Sequence, residues 1–175
     1  MTVLKILTEP NEILRQKSSK VESVDQHIQK LMNDMLDTMY SAPGIGLAAI
    51  QVGIAKQIII IDISREKDSK NPMFFINPEI IWRDNETNIY EEGCLSVPNQ
   101  FAEIVRPKQC HVKYLDYNGE SQILKAEGLL ATCIQHEIDH LEGILFIDYL
   151  SKLKKAMIIK KLSKQKKENV ERIVV

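Results

Sequence analysis

Apolar residues recur at three- and four-residue steps through Ile28, Leu31, Met32, Met35, Leu36 and Met39, the period of a helix with one buried face. Asp25 stands where a helix cap belongs, and Pro43 and Gly44 follow where the pattern stops. The runs 57–63 and 73–76 are short, rich in Ile and Phe and bounded by polar or proline-containing segments, so both are predicted as buried strands. Residues 110–117 alternate as a strand does, Asn118-Gly119 predicts a tight turn, and 121–125 can return beside the first strand. From 128 to 141 the period becomes helical again, with Leu129, Leu130, Cys133, Ile134 and Leu141 apolar and Gly143 placed as a stop. A last, lysine-rich helix is predicted over 151–175, with Leu150, Leu153, Met157, Ile158 and Leu162 near one face and a short apolar end. The elements add up to an α+β fold, with mixed or antiparallel sheets packed around the 128–141 helix and a helix at the C-terminal end.

Composition narrows the class without changing that picture. At 175 residues the chain can bury one core without disulfide help. Its 44% hydrophobic and 27% charged residues are ordinary for a globular protein. The net charge of -1 hides an asymmetry, because nine cations and two anions from residue 151 onward leave about -8 on the rest. Three widely spaced cysteines, Cys94, Cys110 and Cys133, make a poor disulfide framework. The N-terminus does not read as a signal peptide, and no stretch reaches the roughly 18 apolar residues of a membrane span. A cytoplasmic protein without membrane contact is expected.

The chemistry concentrates on His136-Glu137-Ile138-Asp139-His140. This HExxH spacing puts two imidazoles on one helix face, with Cβ atoms about 5–6 Å apart, where both can grip one cation. Glu137 is rotated away from that face, so its carboxylate can reach a water on the metal without taking a coordination position. With four histidines in the chain, a chance match is rare. A catalytic site needs a third protein ligand. The metzincin continuation fails, because Phe146 occupies the position of its third histidine. The missing ligand should lie upstream, and Cys94 in Glu91-Glu92-Gly93-Cys94-Leu95-Ser96 is the best candidate, since a thiolate suits Fe(II) or Zn(II). Cys110 and Cys133 read as small core residues. The segment Gly44-Ile45-Gly46-Leu47-Ala48-Ala49-Ile50-Gln51 is not a phosphate loop, lacking both the G-x-G-x-x-G spacing and a Lys-Ser/Thr pair.

GIGLAAIQ, EEGCLS and QHEIDHLEG, in this order and spacing, resemble the three signature motifs of peptide deformylases, and the resemblance spans roughly residues 1–165. It implies a metal-dependent amidohydrolase that removes the formyl group from the N-terminal formyl-methionine of nascent polypeptides, releasing formate. By that resemblance Cys94, His136 and His140 are the metal ligands and Glu137 is the catalytic acid/base. Gln51 and the Leu95 N–H bind the formyl oxygen, and Glu92 pairs with Arg106 to brace the cysteine loop. Ile45, Gly46, Gly93, Leu129 and Cys133 are expected to line the substrate pocket. One divalent ion per chain is expected, Fe(II) first, with Zn(II), Ni(II) or Co(II) also accepted. Two departures stand out: Phe101 replaces an arginine that many bacterial members carry after the cysteine motif, and Thr132 replaces a commonly aliphatic residue.

Residues 1–150 are thus expected to form the catalytic part, and 151–175 a basic helix and tail of the same domain. That tail suits the phosphates of ribosomal RNA, without sequence-specific nucleic-acid recognition. Two other classes stay open on the residues alone. One is a general metallopeptidase, and the other is a non-catalytic ribosome-associated protein with a structural metal.

Overall fold

The computed structural model describes residues 2–64 and 69–173, with side chains of the last helix described to residue 165. The first long helix, α1, spans Gln26–Ser41, and the Asp25 side chain accepts a hydrogen bond from the Ile28 N–H at 2.9 Å. That contact satisfies one of the helix's orphan donors, as a cap should. Five strands form one antiparallel sheet: β1 (Gly46–Ala48), β2 (Ile58–Ile61), β3 (Met73–Arg83), β6 (Gln109–Leu115) and β7 (Ser121–Glu127), in that spatial order. Strands β4 (Thr87–Cys94) and β5 (Val97–Pro107) pair separately as a two-stranded sheet. The second helix, α2, spans Gly128–Leu141, and the third, α3, spans Lys152–Ile173.

The four isoleucines of β2 show why that strand reads as an unbroken apolar run. Ile58 and Ile60 face a cluster with Met32, Met35 and Met39 of α1, whereas Ile59 and Ile61 face one with Ala131, Ile134 and Leu141 of α2. Successive side chains point to opposite faces of a sheet, and here a helix covers each face. A third cluster gathers Val97 and Ile104 of β5 with Leu145, Phe146, Ile147 and Leu162.

Four details depart from the sequence expectations. Strand β3 does not end before Pro78 but runs on to Arg83, with register shifts at Ile76/Glu79 and Ile80/Trp82. The proline is accommodated at that irregularity, where Asn77 has a φ of 50° and its amide exchanges two 2.8 Å hydrogen bonds with the Val21 backbone. The chain reverses over residues 116–120 rather than over Asn118-Gly119 alone, because the Asp116 carboxylate accepts from the Asn118 and Glu120 N–H groups. The β4–β5 hairpin was not anticipated. On α3, Leu162 is buried, but Leu153 and Met157 are 71% and 64% exposed. At about 100° per residue they fall on the side away from Leu162, so the five apolar residues do not share one face. The apolar end expected at 174–175, and the side chains of Lys166, Lys167 and Arg172, lie outside the described residues.

Gly143 closes α2 with a φ of 75°, and a Cβ there would stand 2.4 Å from the Arg15 carbonyl oxygen. Both the dihedral and the space demand glycine. Gly143→Ala is expected to lower folding stability by about 2–3 kcal/mol, read as a shift in the urea midpoint.

Candidate active site

Helix α2 places His136 and His140 one turn apart, with ring centroids 5.0 Å from each other. Cys94 closes β4 at the point where the β4–β5 register shifts, and its Sγ lies 3.2 Å from His140 Nε2. One potential ligand atom from each of the three residues falls within 4.8 Å of the others. His140 is fully buried and His136 nearly so. Burial, with the charges of His136 and Arg106 nearby, holds His140 well below its ordinary pKa, whereas at His136 burial is outweighed by the hydrogen bonds to Cys94 and Glu92, which hold the ring well above it. Imidazoles ligate metals in the neutral form, so an ion here would take the place of a His136 proton. One sulfur and two imidazole nitrogens fit a borderline-soft divalent ion. Phe146, where a third histidine would stand in a metzincin, is buried and stacks on His136 at 6.3 Å.

Behind His136 runs a buried chain of charges. Its Nδ1 lies 2.8 Å from Glu92 Oε2, which leaves Nε2 for a metal. Arg106 grips the same carboxylate from Nε at 2.5 Å and from Nη2 at 3.0 Å. The third guanidinium nitrogen reaches Asp139 Oδ2 at 2.8 Å, which also accepts from the Tyr149 hydroxyl. Burial alone would raise the Glu92 carboxyl, but the hydrogen bonds from His136 and Arg106 overcome it and keep the group below the usual carboxylate range. Glu92 and Arg106 are 6% and 4% exposed, so this is no surface ion pair.

Glu137 points the other way, toward β1. A Cβ on Gly46 would sit 2.3 Å from Glu137 Oε1, so any larger residue there would push the carboxylate out of this position. Glu137 is 4% exposed, and its Oε2 has no hydrogen-bond partner among the described residues. Burial pushes its carboxyl up to about 7, against the opposing charge of His136. A group poised there can both take and return a proton near neutrality. Gln51 lies in a 3₁₀ turn directly after β1. Its Oε1 accepts from the Ala48 N–H at 2.8 Å, while its Nε2 donates to Ser96 Oγ at 3.1 Å and lies 3.5 Å from Cys94 Sγ. The amide is thereby fixed with its N–H₂ toward the cysteine.

Gln51, Glu92, Cys94, His136 and Glu137 border a cleft of about 500 Å³, while His140 and Arg106 are buried and do not line it. Ile45, Gly46, Gly93 and Leu95 lie on its β1 and hairpin sides, and Leu129 and Cys133 on its α2 side. Every residue expected to take part is therefore within this one region. Burial drives the Cys133 thiol well up and the Cys110 thiol up to about 11; Cys133 faces the cleft, whereas Cys110 sits in the core. Sequence reasoning gave no part to Ser96, Asp139 or Tyr149. Ser96 and Asp139 lie inside quoted motifs, which was the available signal, and nothing local marks Tyr149.

A thiol, two imidazoles and a buried acid converging in a cleft define a metal-dependent hydrolase. The profile of the family described as Polypeptide deformylase matches residues 3–156. A peptide deformylase of Pelagibacter ubique (strain HTCC1062) is 66% identical over 170 residues, covering 97% of this chain and 99% of its own. The crystal structure of peptide deformylase from Ehrlichia chaffeensis superimposes with a TM-score of 0.92 at 44% identity, covering 97% of this chain and 99% of that one. A Met-Ala-Ser bound class I type b peptide deformylase from Acinetobacter baumannii gives 0.80 at 34%, covering 85% and 99%. The chain belongs to the polypeptide deformylase family, metal-dependent enzymes that remove the formyl group from the N-terminal methionine of nascent peptides.

Arg106→Ala leaves Glu92 buried without its cation, which is expected to lower folding stability by about 3–5 kcal/mol. The loss of support behind His136 should also weaken metal binding about 10- to 100-fold. Urea unfolding and chelator competition read the two effects separately.

Proposed function

We propose that Cys94, His136 and His140 hold one divalent ion, Fe(II) in the native protein, and that Glu137, Gln51 and the Leu95 N–H carry out deformylation beside it. The observation that supports this most directly is the convergence of three donors within 4.8 Å, next to a buried carboxyl with one unpartnered oxygen. When bound, the ion supplies Lewis acidity to water and to the formyl oxygen. Glu137 accepts a proton from the attacking water and returns one to the departing amine as the formyl C–N bond breaks, leaving formate. Gln51, clamped by Ala48 and Ser96, presents its N–H to the developing oxyanion, with the Leu95 N–H as a second donor. One such donor is typically worth about 3 kcal/mol. The methionine side chain takes the space between Ile45, Leu129 and Cys133, where Thr132 adds a hydroxyl to the wall. The peptide lies between β1 and β4, both at sheet edges with backbone groups available. The A. baumannii relative holds Met-Ala-Ser, which supports a peptide as the ligand.

The catalytic part is residues 1–150, and α3 belongs to the same domain because Leu162 packs into its third cluster. No helix among the described residues is long and apolar enough to cross a membrane. The cytoplasm, where formylated chains are made, is the expected location. The lysines of α3 are proposed to meet ribosomal RNA.

Release of formate from formyl-Met-Ala, with acetyl-Met-Ala left intact, tests the reaction against a general metallopeptidase. Glu137→Ala is expected to retain one ion per chain, Fe(II) when purified anaerobically, and to lose at least about 100-fold in kcat. Stoichiometric metal with near-normal turnover would refute the assigned role. Cutting the chain after Ser163 keeps the buried Leu162 but removes Lys164, Lys166, Lys167 and Arg172. Sedimentation with ribosomes should then weaken at low salt, while formyl-Met-Ala turnover stays unchanged. If the full chain does not sediment at all, the ribosome contact is wrong.

A further inference from the structure

Gln100 and Phe101 border the active-site cleft, and the same two residues open onto a second groove between β5 and α3. Leu150 and Ile158 form part of its lining, and both also pack against the third core cluster. Phe101 and Met157 are its apolar walls, 66% and 64% exposed. Lys154 and Lys161 stand along the α3 side and Glu103 on the β5 side. Two large apolar side chains are left in water on facing elements, and the groove between them shares a border with the cleft, so a chain leaving the cleft meets them first.

We propose that this groove is a distal subsite for the substrate polypeptide, taking residues several positions beyond the formyl-methionine. The proposal rests on the deformylase reading and extends it. An extended chain advances about 3.3–3.6 Å per residue, so only the first few residues fit within the cleft and the following ones must leave over its rim. At Gln100 and Phe101 that rim leads straight into the groove. A side chain laid between Phe101 and Met157 leaves water on two sides, which selects an apolar residue. Two lysines against one glutamate favour an acidic neighbour to that residue. The orientation of α3 explains the arrangement: Leu162 fixes the helix to the core, and this rotation turns Met157, Lys154 and Lys161 toward β5 rather than into the interior.

The test uses the full-length metal-loaded enzyme and formyl peptides that share a Met-Ala-Ser start, lengthened from three to nine residues with one leucine walked through a Gly/Ser background. For the best leucine position, kcat/KM should exceed that of the tripeptide by about fivefold, carried by KM. A glutamate beside that leucine should add to the gain and a lysine subtract from it. In Met157→Asp the long-to-short ratio should fall to near one, and in the Lys154→Glu/Lys161→Glu protein the preference should reverse toward a lysine-bearing peptide. A ratio near one at every length in the unaltered enzyme overturns the proposal, as does a ratio that Met157→Asp leaves unchanged. If Met157→Asp instead weakens ribosome sedimentation with the ratio intact, the groove contacts the ribosome and the subsite is wrong. Failure of the intact enzyme to hydrolyse even the formyl tripeptide would count against the deformylase reading, which separates the two failures.

Discussion

A guanidinium without access to water holds the site in place. Arg106 spans Glu92 on one side and Asp139 on the other, and through Glu92 it fixes the ring of His136. Because Asp139 sits on α2 and Glu92 on β4, the same cation ties the hairpin that carries Cys94 to the helix that carries both histidines. A buried ion pair of this kind adds little net stability, because desolvating the charges costs about what their attraction returns. Its value lies in geometry. With both Glu92 oxygens and all three guanidinium nitrogens paired, the hairpin that carries Cys94 and the helix that carries the histidines are held in one arrangement rather than many.

That bond between elements also explains the shape of the cleft. The five-stranded sheet ends at β1 and the small sheet presents β4, so two strand edges face the same space, with α2 as the floor. Exposed edges are ordinarily a hazard, but here they leave backbone groups where a peptide can use them. Gly46 lets β1 pass over Glu137 without displacing it. The carboxyl is then dry enough to be raised to about 7 and close enough to the donors to act beside them.

Much of this was legible in the residues. The two imidazoles depend only on local helix geometry, so the HExxH spacing determined their proximity before any fold was known. The caps at Asp25 and Gly143 are equally local, and the unbroken isoleucines of β2 announced a strand covered on both faces. The β4–β5 hairpin was hidden because its pattern is inverted. Glu92 and Arg106 point inward while Ile89, Phe101 and Val105 point out, and period-two reasoning assumes the opposite.

By itself, then, the sequence determined what short-range geometry and residue chemistry decide: the helix bearing the two histidines, a cysteine as the candidate for a soft third donor, and the motifs that carry the family resemblance. The resemblance carried the Glu92–Arg106 pair, but only the tertiary structure brought Asp139 and Tyr149 to it, since the four residues come from four elements and nothing in their spacing brings them together. It also decided the rotation of α3, because an amphipathic pattern with apolar residues on more than one side is resolved only by the core available to receive it. Leu162 found that core and Met157 did not, a choice made by the position of Val97, Ile104 and Phe146 far away in the chain.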